Sequence, residues 1–111
     1  MEQEINKAIE LAVPIIKHFE GCHLYAYLQK FAYGVLRLIK VKLEPHEHAA
    51  LISFSYNLGL GNLQSSTLRT KLNRDERIAA SNELPKWVRA GGRKLRGLVL
   101  RREAERELFL S

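Results

Sequence analysis

Apolar residues recur at helical spacing from the start of the chain. Ile5, Ala8, Ile9, Val13, Ile16 and Phe19 share one face of a 3.6-residue period, which predicts a helix over residues 4–19. Pro14 removes a backbone donor inside it, so a kink is expected, or two short helices with Pro14 near the second start. Gly21 is a natural stop. Residues 23–43 give a mixed pattern. Leu24-Tyr25-Ala26-Tyr27-Leu28 is apolar and aromatic, and residues 35–43 set Arg37, Lys40 and Lys42 among Val, Leu and Ile. Partial alternation there fits a strand, and the Leu-Arg-Leu-Ile-Lys content allows a helix equally. Glu44-Pro45-His46-Glu47 reads as a helix start, with Pro45 at the first helical position and an acid in the first turn. The run from Ala49 to Leu58 is apolar around most of its circumference, the mark of a helix buried at the centre of a domain, and Gly59 ends it.

Residues 60–64 read as a tight connection, with Ser65 or Ser66 capping a short helix through Leu72. Asn73 and Asp75 mark a turn and a second cap, before a helix from about Glu76 towards Val88 that Pro85 perturbs. Gly91-Gly92 is a flexible break. A last helix runs from about Leu98 to Leu110, with Leu100, Ala104 and Leu108 on one face. Strand signals are few after Leu43. Five to six helices with short connections imply a mainly α protein, one domain over residues 1–111.

Composition narrows the class. Of 111 residues, 46% are hydrophobic and 27% charged, which suits one folded core and argues against disorder. The formal net charge of +6 favours acidic partners such as nucleic acid, anionic lipid or cell-wall polymer. The excess is concentrated in residues 86–106, where eight basic side chains face Glu103 and Glu105. No helix-turn-helix signature speaks for nucleic acid. Cys22 is the only cysteine, so the fold stands on packing alone, which suits a reducing cytoplasm. The apolar run 11–16 is short and broken by Pro14, so neither a secretory signal nor a membrane span is expected. His46 and His48, two residues apart on a helix, point to different sides and are expected to be solvated. His18 and His23 are expected at the surface, Cys22 as a small packed side chain and Trp87 as core rather than a sugar platform. No metal or cofactor is implied.

Three stretches taken in order resemble the phage lysozymes of glycoside hydrolase family 24, the endolysin family. The first is Ile15-Ile16-Lys17-His18-Phe19-Glu20-Gly21 with Leu24 and Ala26-Tyr27. The second is Leu51-Ile52-Ser53-Phe54-Ser55-Tyr56-Asn57-Leu58-Gly59 with Gly61-Asn62 and Ser65-Ser66-Thr67-Leu68. The third is Trp87-Val88-Arg89-Ala90-Gly91-Gly92 with Gly97-Leu98-Val99 and residues 101–106. The resemblance implies a helical lobe beside a small β-lobe, cleavage of the β-1,4 bond between N-acetylmuramic acid and N-acetylglucosamine in peptidoglycan, Glu20 as the inherited catalytic acid, and Arg101 or Arg102 as its partner.

The departures from the family pattern are specific. Its second acid and its threonine fall on Gln29 and Val35, its Gly-Tyr-Gly-His-Thr run is absent, and the chain passes from Tyr33-Gly34 almost directly to the central helix. The β-lobe is therefore expected to be largely deleted. Glycoside hydrolysis uses two carboxyl groups, one as proton donor and one ionised. Gln29 cannot ionise and Val35 has no polar group, so activity is expected to be impaired or absent. The alternative is a non-catalytic binding or inhibitor protein derived from a lysozyme. Expected partners are peptidoglycan or an unidentified protein. The apolar surface left by the lost lobe is covered either by residues 24–43 or by self-association. The expected location is the cytoplasm, or outside after host lysis.

Overall fold

The computed structural model describes residues 2–21 and 24–111. The expectations for Cys22 and His23 lie outside the described residues. Helices α1 (Glu2–Glu20), α2 (Tyr25–Leu38), α3 (Pro45–Leu58), α4 (Leu60–Gln64), α5 (Thr67–Asn73) and α6 (Arg77–Ser81) are followed by a 3-10 turn (Leu84–Lys86). A hairpin of β1 (Arg89–Ala90) and β2 (Arg93–Lys94) then leads into α7 (Arg96–Leu110). The fold is mainly α, as the periodicity predicts. The helix count exceeds five to six because two of the helices, α4 and α6, have only five residues each.

Helix α1 is continuous through Pro14, so of the two alternatives, a kink or two short helices, the division into two does not occur. Pro14 lies on the exposed face, where the carbonyl of Glu10, deprived of its donor, has access to water. Residues 25–38 resolve the ambiguous segment as helix. Leu28, Phe31, Ala32 and Val35 are buried at the i, i+3, i+4, i+7 spacing of one helical face, and that face packs on α3. Alternation holds only in the extended stretch beyond, where Ile39 and Leu43 are buried. At Gly34, α2 comes so close to α4 that a Cβ would overlap the Leu60 side chain.

Helix α3 is the central element, packed against α1, α2 and α7. Its first turn is fixed by Glu47. One carboxylate oxygen accepts from the Glu44 backbone N–H at 2.8 Å and from Arg77 at 2.5 Å. The same guanidinium also reaches Asp75 and the Lys42 carbonyl, both at 2.7 Å, and ties α6 to the start of α3. His46 and His48 depart from the solvated expectation. A ring nitrogen of His46 lies 3.0 Å from the Phe109 carbonyl, and His48 is buried with Nε2 2.9 Å from the Ala32 carbonyl. Both sit where neighbouring helices leave a carbonyl in reach, and burial pushes the His48 imidazole below its ordinary pKa.

Local chemistry explains the later elements. Gly59 ends α3 with φ 94°, but the expected tight connection is itself the short α4. The Ser66 hydroxyl caps α5 by accepting from Arg69 N–H at 3.0 Å. Asp75 is not a cap; it turns the chain with φ 63°. The helix expected over residues 76–88 stops at Ser81, and the segment around Pro85 winds as a 3-10 turn. Glu83 accepts from Lys71 and Lys86, both at 2.8 Å, and these ammonium groups hold its carboxyl below the usual range. Gly91 and Gly92 form an ordered hairpin turn, with φ 58° and 79°, that closes two strands too short to register as a periodic signal. Trp87 packs edge-on against Phe54 at a centroid distance of 5.5 Å, beside the core.

Two apolar clusters form the interior. One gathers Val35, Leu51, Phe54, Leu63, Leu72 and Phe109, and the other Ile5, Ile9, Ile16, Leu28 and Ile52. Leu36, Leu60 and Leu108 touch both.

Candidate active site at the end of helix α1

Glu20 is the last residue of α1, and its side chain is 32% exposed. Its Oε2 accepts from Arg101 Nη1 at 2.5 Å, a contact between residues 81 apart in sequence. Arg101 is itself buried, so the pair joins a rim carboxylate to an interior guanidinium. The guanidinium also stands 5.7 Å from the centroid of the Phe19 ring.

Behind this pair lies a buried ionic cluster. Glu105, fully enclosed, accepts from Ser53 Oγ at 2.6 Å, Arg102 Nη2 at 3.1 Å and Arg101 Nε at 3.3 Å. Arg102 Nε approaches the other Glu105 oxygen to 2.8 Å, but off the line of a hydrogen bond, so this contact is Coulombic. Arg102 does not reach Glu20. It donates to Asn57 Oδ1 at 2.8 Å and to the Trp87 carbonyl at 3.4 Å, and it sits over Phe54. Arg101 completes its set with the Ser53 carbonyl at 3.2 Å. Burial pushes the Glu105 carboxyl up and the Arg102 guanidinium down, and the attraction between them opposes both shifts. The cluster therefore holds Arg101 from behind while its Nη1 points at Glu20.

Sequence reasoning reaches Glu20, Arg101 and Arg102 but misses Ser53, Asn57 and Glu105. A signal is present. Ser53 and Asn57 are one turn apart on α3, and Glu105 follows Arg102 by three and Arg101 by four, so each set shares a helix face.

Glu20 opens onto a groove of about 290 Å³ lined by Phe19, Asn57, Leu95, Gly97, Leu98 and Arg101. Glu20 is the one carboxylate in this lining. Gln29 and Val35 are carried by α2 and do not line it, and Val35 is buried in the core. The arrangement offers one acid, one fixed cation and an amide beside an apolar floor, all suited to a polyhydroxylated chain. Among the described residues, no three His, Cys, Asp or Glu side chains gather as a metal site, and no helix is long and apolar enough to cross a membrane.

Comparison with known proteins agrees with this geometry. The family model for phage lysozyme matches residues 20–105. An endolysin of Bacillus phage B103 is 49% identical over 84 residues, which is 76% of this chain and 32% of that protein. A SAR-endolysin of bacteriophage PS119 is 43% identical over 72 residues, 65% of this chain and 43% of its own length. Among solved structures, a point mutant of P22 lysozyme superposes with a TM-score of 0.72 at 31% identity, covering 78% of this chain and 58% of that one. The muramidase domain of SpmX from Asticaccaulis excentricus gives 0.70 at 26% identity, covering 76% and 60%. The chain thus spans about a third to under a half of the two endolysins; between α2 and α3, where a β-lobe would be sought, the described residues hold no strand, and their one sheet is the two-residue hairpin ahead of α7. In sequence and in fold alike, the chain belongs to the phage lysozyme family.

Proposed function

We propose that this chain acts at bacterial peptidoglycan through the groove beside Glu20, and that it binds the glycan with turnover impaired or absent. Glu20 is the inherited position of the proton donor for the β-1,4 muramic acid–glucosamine bond, with Arg101 as its positioning partner. One observation carries the reading: Glu20 is the single carboxylate of its groove. Two-carboxylate hydrolysis needs a second acid about 5–9.5 Å from the first across the sugar, as nucleophile or as base for water. Glu105, the acid behind Arg101, is fully buried and neutralised by two guanidinium groups, so it cannot meet substrate. A protein of this kind is held in the cytoplasm, or is released at host lysis, when it reaches the wall.

The test pairs binding with turnover. Wild type and Glu20→Gln are incubated with purified insoluble peptidoglycan and assayed for co-sedimentation, release of reducing ends and loss of wall turbidity. Co-sedimentation of both proteins with background release from both is expected. A wild-type rate that Glu20→Gln abolishes would identify a competent hydrolase and overturn the impaired reading. Failure of both to sediment would overturn the wall-binding reading.

A second reading, a non-catalytic inhibitor, is favoured by large apolar and aromatic side chains left part-exposed around α2. Leu24, just ahead of α2, and Tyr25, Tyr27 and Tyr33 on it are all exposed. An inhibitor would slow wall clearance by an active family member when added in stoichiometric amount. An unchanged clearance rate would reject it.

A further inference from the structure

The charge excess of the sequence has a specific location in the fold. Residues 84–102 contain no Asp or Glu and seven Lys or Arg. Three of the seven are neutralised: Lys86 by Glu83, Arg101 by Glu20 and Glu105, and Arg102 by Glu105. The other four, Arg89, Arg93, Lys94 and Arg96, are exposed and make no ion pair among the described residues. They sit on the β1–β2 hairpin and at the first residue of α7.

Their placement opposes local stability. In the antiparallel register Arg89 stands directly opposite Lys94, so two cations share one face of a two-residue ladder, where like charges repel. Arg96 occupies the first turn of α7, where the helix dipole disfavours a cation and no acid offsets it. Ordinary surface charge is mixed in sign. Three uncompensated cations on the hairpin and a fourth at the start of α7, against two local electrostatic rules, fit a surface that is completed by an anion.

We propose that this hairpin docks a phosphate-bearing polyanion of the bacterial wall alongside the Glu20 groove. Three of the four cations are arginines, whose planar fork engages phosphate oxygens in pairs. The hairpin runs directly into the groove: Leu95, Gly97 and Leu98 line it, with Lys94 and Arg96 interleaved. A polymer held on the hairpin therefore lies next to whatever glycan the groove holds, and a wall polyphosphate attached to glycan satisfies both at once. The proposal rests on the wall-binding reading above only for its choice of polyanion, since the cation cluster stands independently.

The experiment uses the full chain and the variant Arg89→Gln/Arg93→Gln/Lys94→Gln/Arg96→Gln. Because it removes the Arg89–Lys94 repulsion, the variant should keep its circular dichroism spectrum and melt no lower than wild type. Binding is measured to soluble poly(glycerol phosphate), to peptidoglycan bearing its phosphate polymer and to the same peptidoglycan chemically stripped of it. Wild type should bind poly(glycerol phosphate) at least about tenfold more tightly than the variant. Its log-affinity should fall with log-salt at a slope near −3, as about four phosphate contacts on a flexible chain imply. Equal binding by wild type and a folded variant overturns the proposal. So does wild-type binding of single-stranded DNA or anionic vesicles as tight, at the same salt, as binding of poly(glycerol phosphate). If both proteins bind stripped wall equally and poly(glycerol phosphate) not at all, the hairpin proposal fails while the groove reading stands. If neither binds stripped wall and only wild type binds the polymer, the groove reading fails and the hairpin proposal stands.

Discussion

The buried ionic cluster yields the sharpest stability prediction. Glu105→Gln preserves side-chain volume and removes one charge. Arg101 would keep a carboxylate, because Glu20 remains at the rim. Arg102 would not, since Glu105 is its only acidic partner among the described residues and both side chains are fully enclosed. Its remaining contacts, the Asn57 amide, the Trp87 carbonyl and the Phe54 face, are neutral. Leaving a buried charge without its counter-ion costs about 3–5 kcal/mol. The glutamine carbonyl can still accept one hydrogen bond, so the lower end, about 3 kcal/mol, is expected. For a domain of this size that corresponds to a fall in Tm on the order of 12 °C. Urea titration followed by far-ultraviolet circular dichroism measures the loss. The single tryptophan, whose carbonyl receives the Arg102 guanidinium, reports the cluster itself by fluorescence. Arg102→Met/Glu105→Leu, which removes both charges of the enclosed pair, should be less destabilised than Glu105→Gln alone. A loss below about 1 kcal/mol in Glu105→Gln, the scale of an exposed ion pair, would refute the claim that this charge is uncompensated without its partner.

Further outcomes follow from other contacts. Glu20→Gln breaks a rim pair that is a third exposed on the acid side, so stability should change by no more than about 1 kcal/mol, and the variant should suit wall assays without a folding correction. His48 is buried and its pKa is lowered by desolvation, with the Ala32 hydrogen bond opposing. Its neutral form therefore belongs to the folded state. The stability it contributes is present above about pH 6.5 and is lost as pH falls through the depressed value. His48→Gln, compared with wild type by urea titration from pH 7.5 to 5, should show a shallower decline, and parallel curves would count against the assignment. Glu105 and Glu83 are common to both proteins and cancel in that comparison. Gly34→Ala drives a Cβ into Leu60 and should cost about 1–3 kcal/mol, part of it recovered when Leu60→Ala is added, as read from thermal melts.

Much of this fold is legible in the chain because its strongest patterns are long. The buried stripe of α1, the all-round apolar character of α3 and the Ser66 cap need no tertiary information. Residues 25–38 are ambiguous because the helical stripe of Leu28, Phe31, Ala32 and Val35 runs straight into an extended segment with its own alternation. The hairpin escapes a periodicity reading because two-residue strands carry no period, only their Gly-Gly turn. His46 and His48 depart from expectation because their partners are backbone carbonyls on other helices, which no local pattern encodes. The same limit applies at the candidate site. Glu20 stands in a motif, whereas Ser53, Asn57 and Glu105 matter through contacts between α3 and α7.

Helix α7 carries little grease. Of its fifteen residues, Phe109 is the one buried apolar side chain, and Arg101, Arg102 and Glu105 take the other inward places. Oily surfaces tolerate a slide or a quarter rotation; a lock of opposite charges does not. If the last helix slipped by one turn, its arginines would keep Glu105, which travels with them, but Arg101 would lose Glu20 and the Ser53 carbonyl, and Arg102 the Asn57 amide and the Trp87 carbonyl, so the observed seating is the one that satisfies these donors together. The final segment thus behaves like a key cut to a single orientation, and accuracy rather than adhesion is what its charges supply.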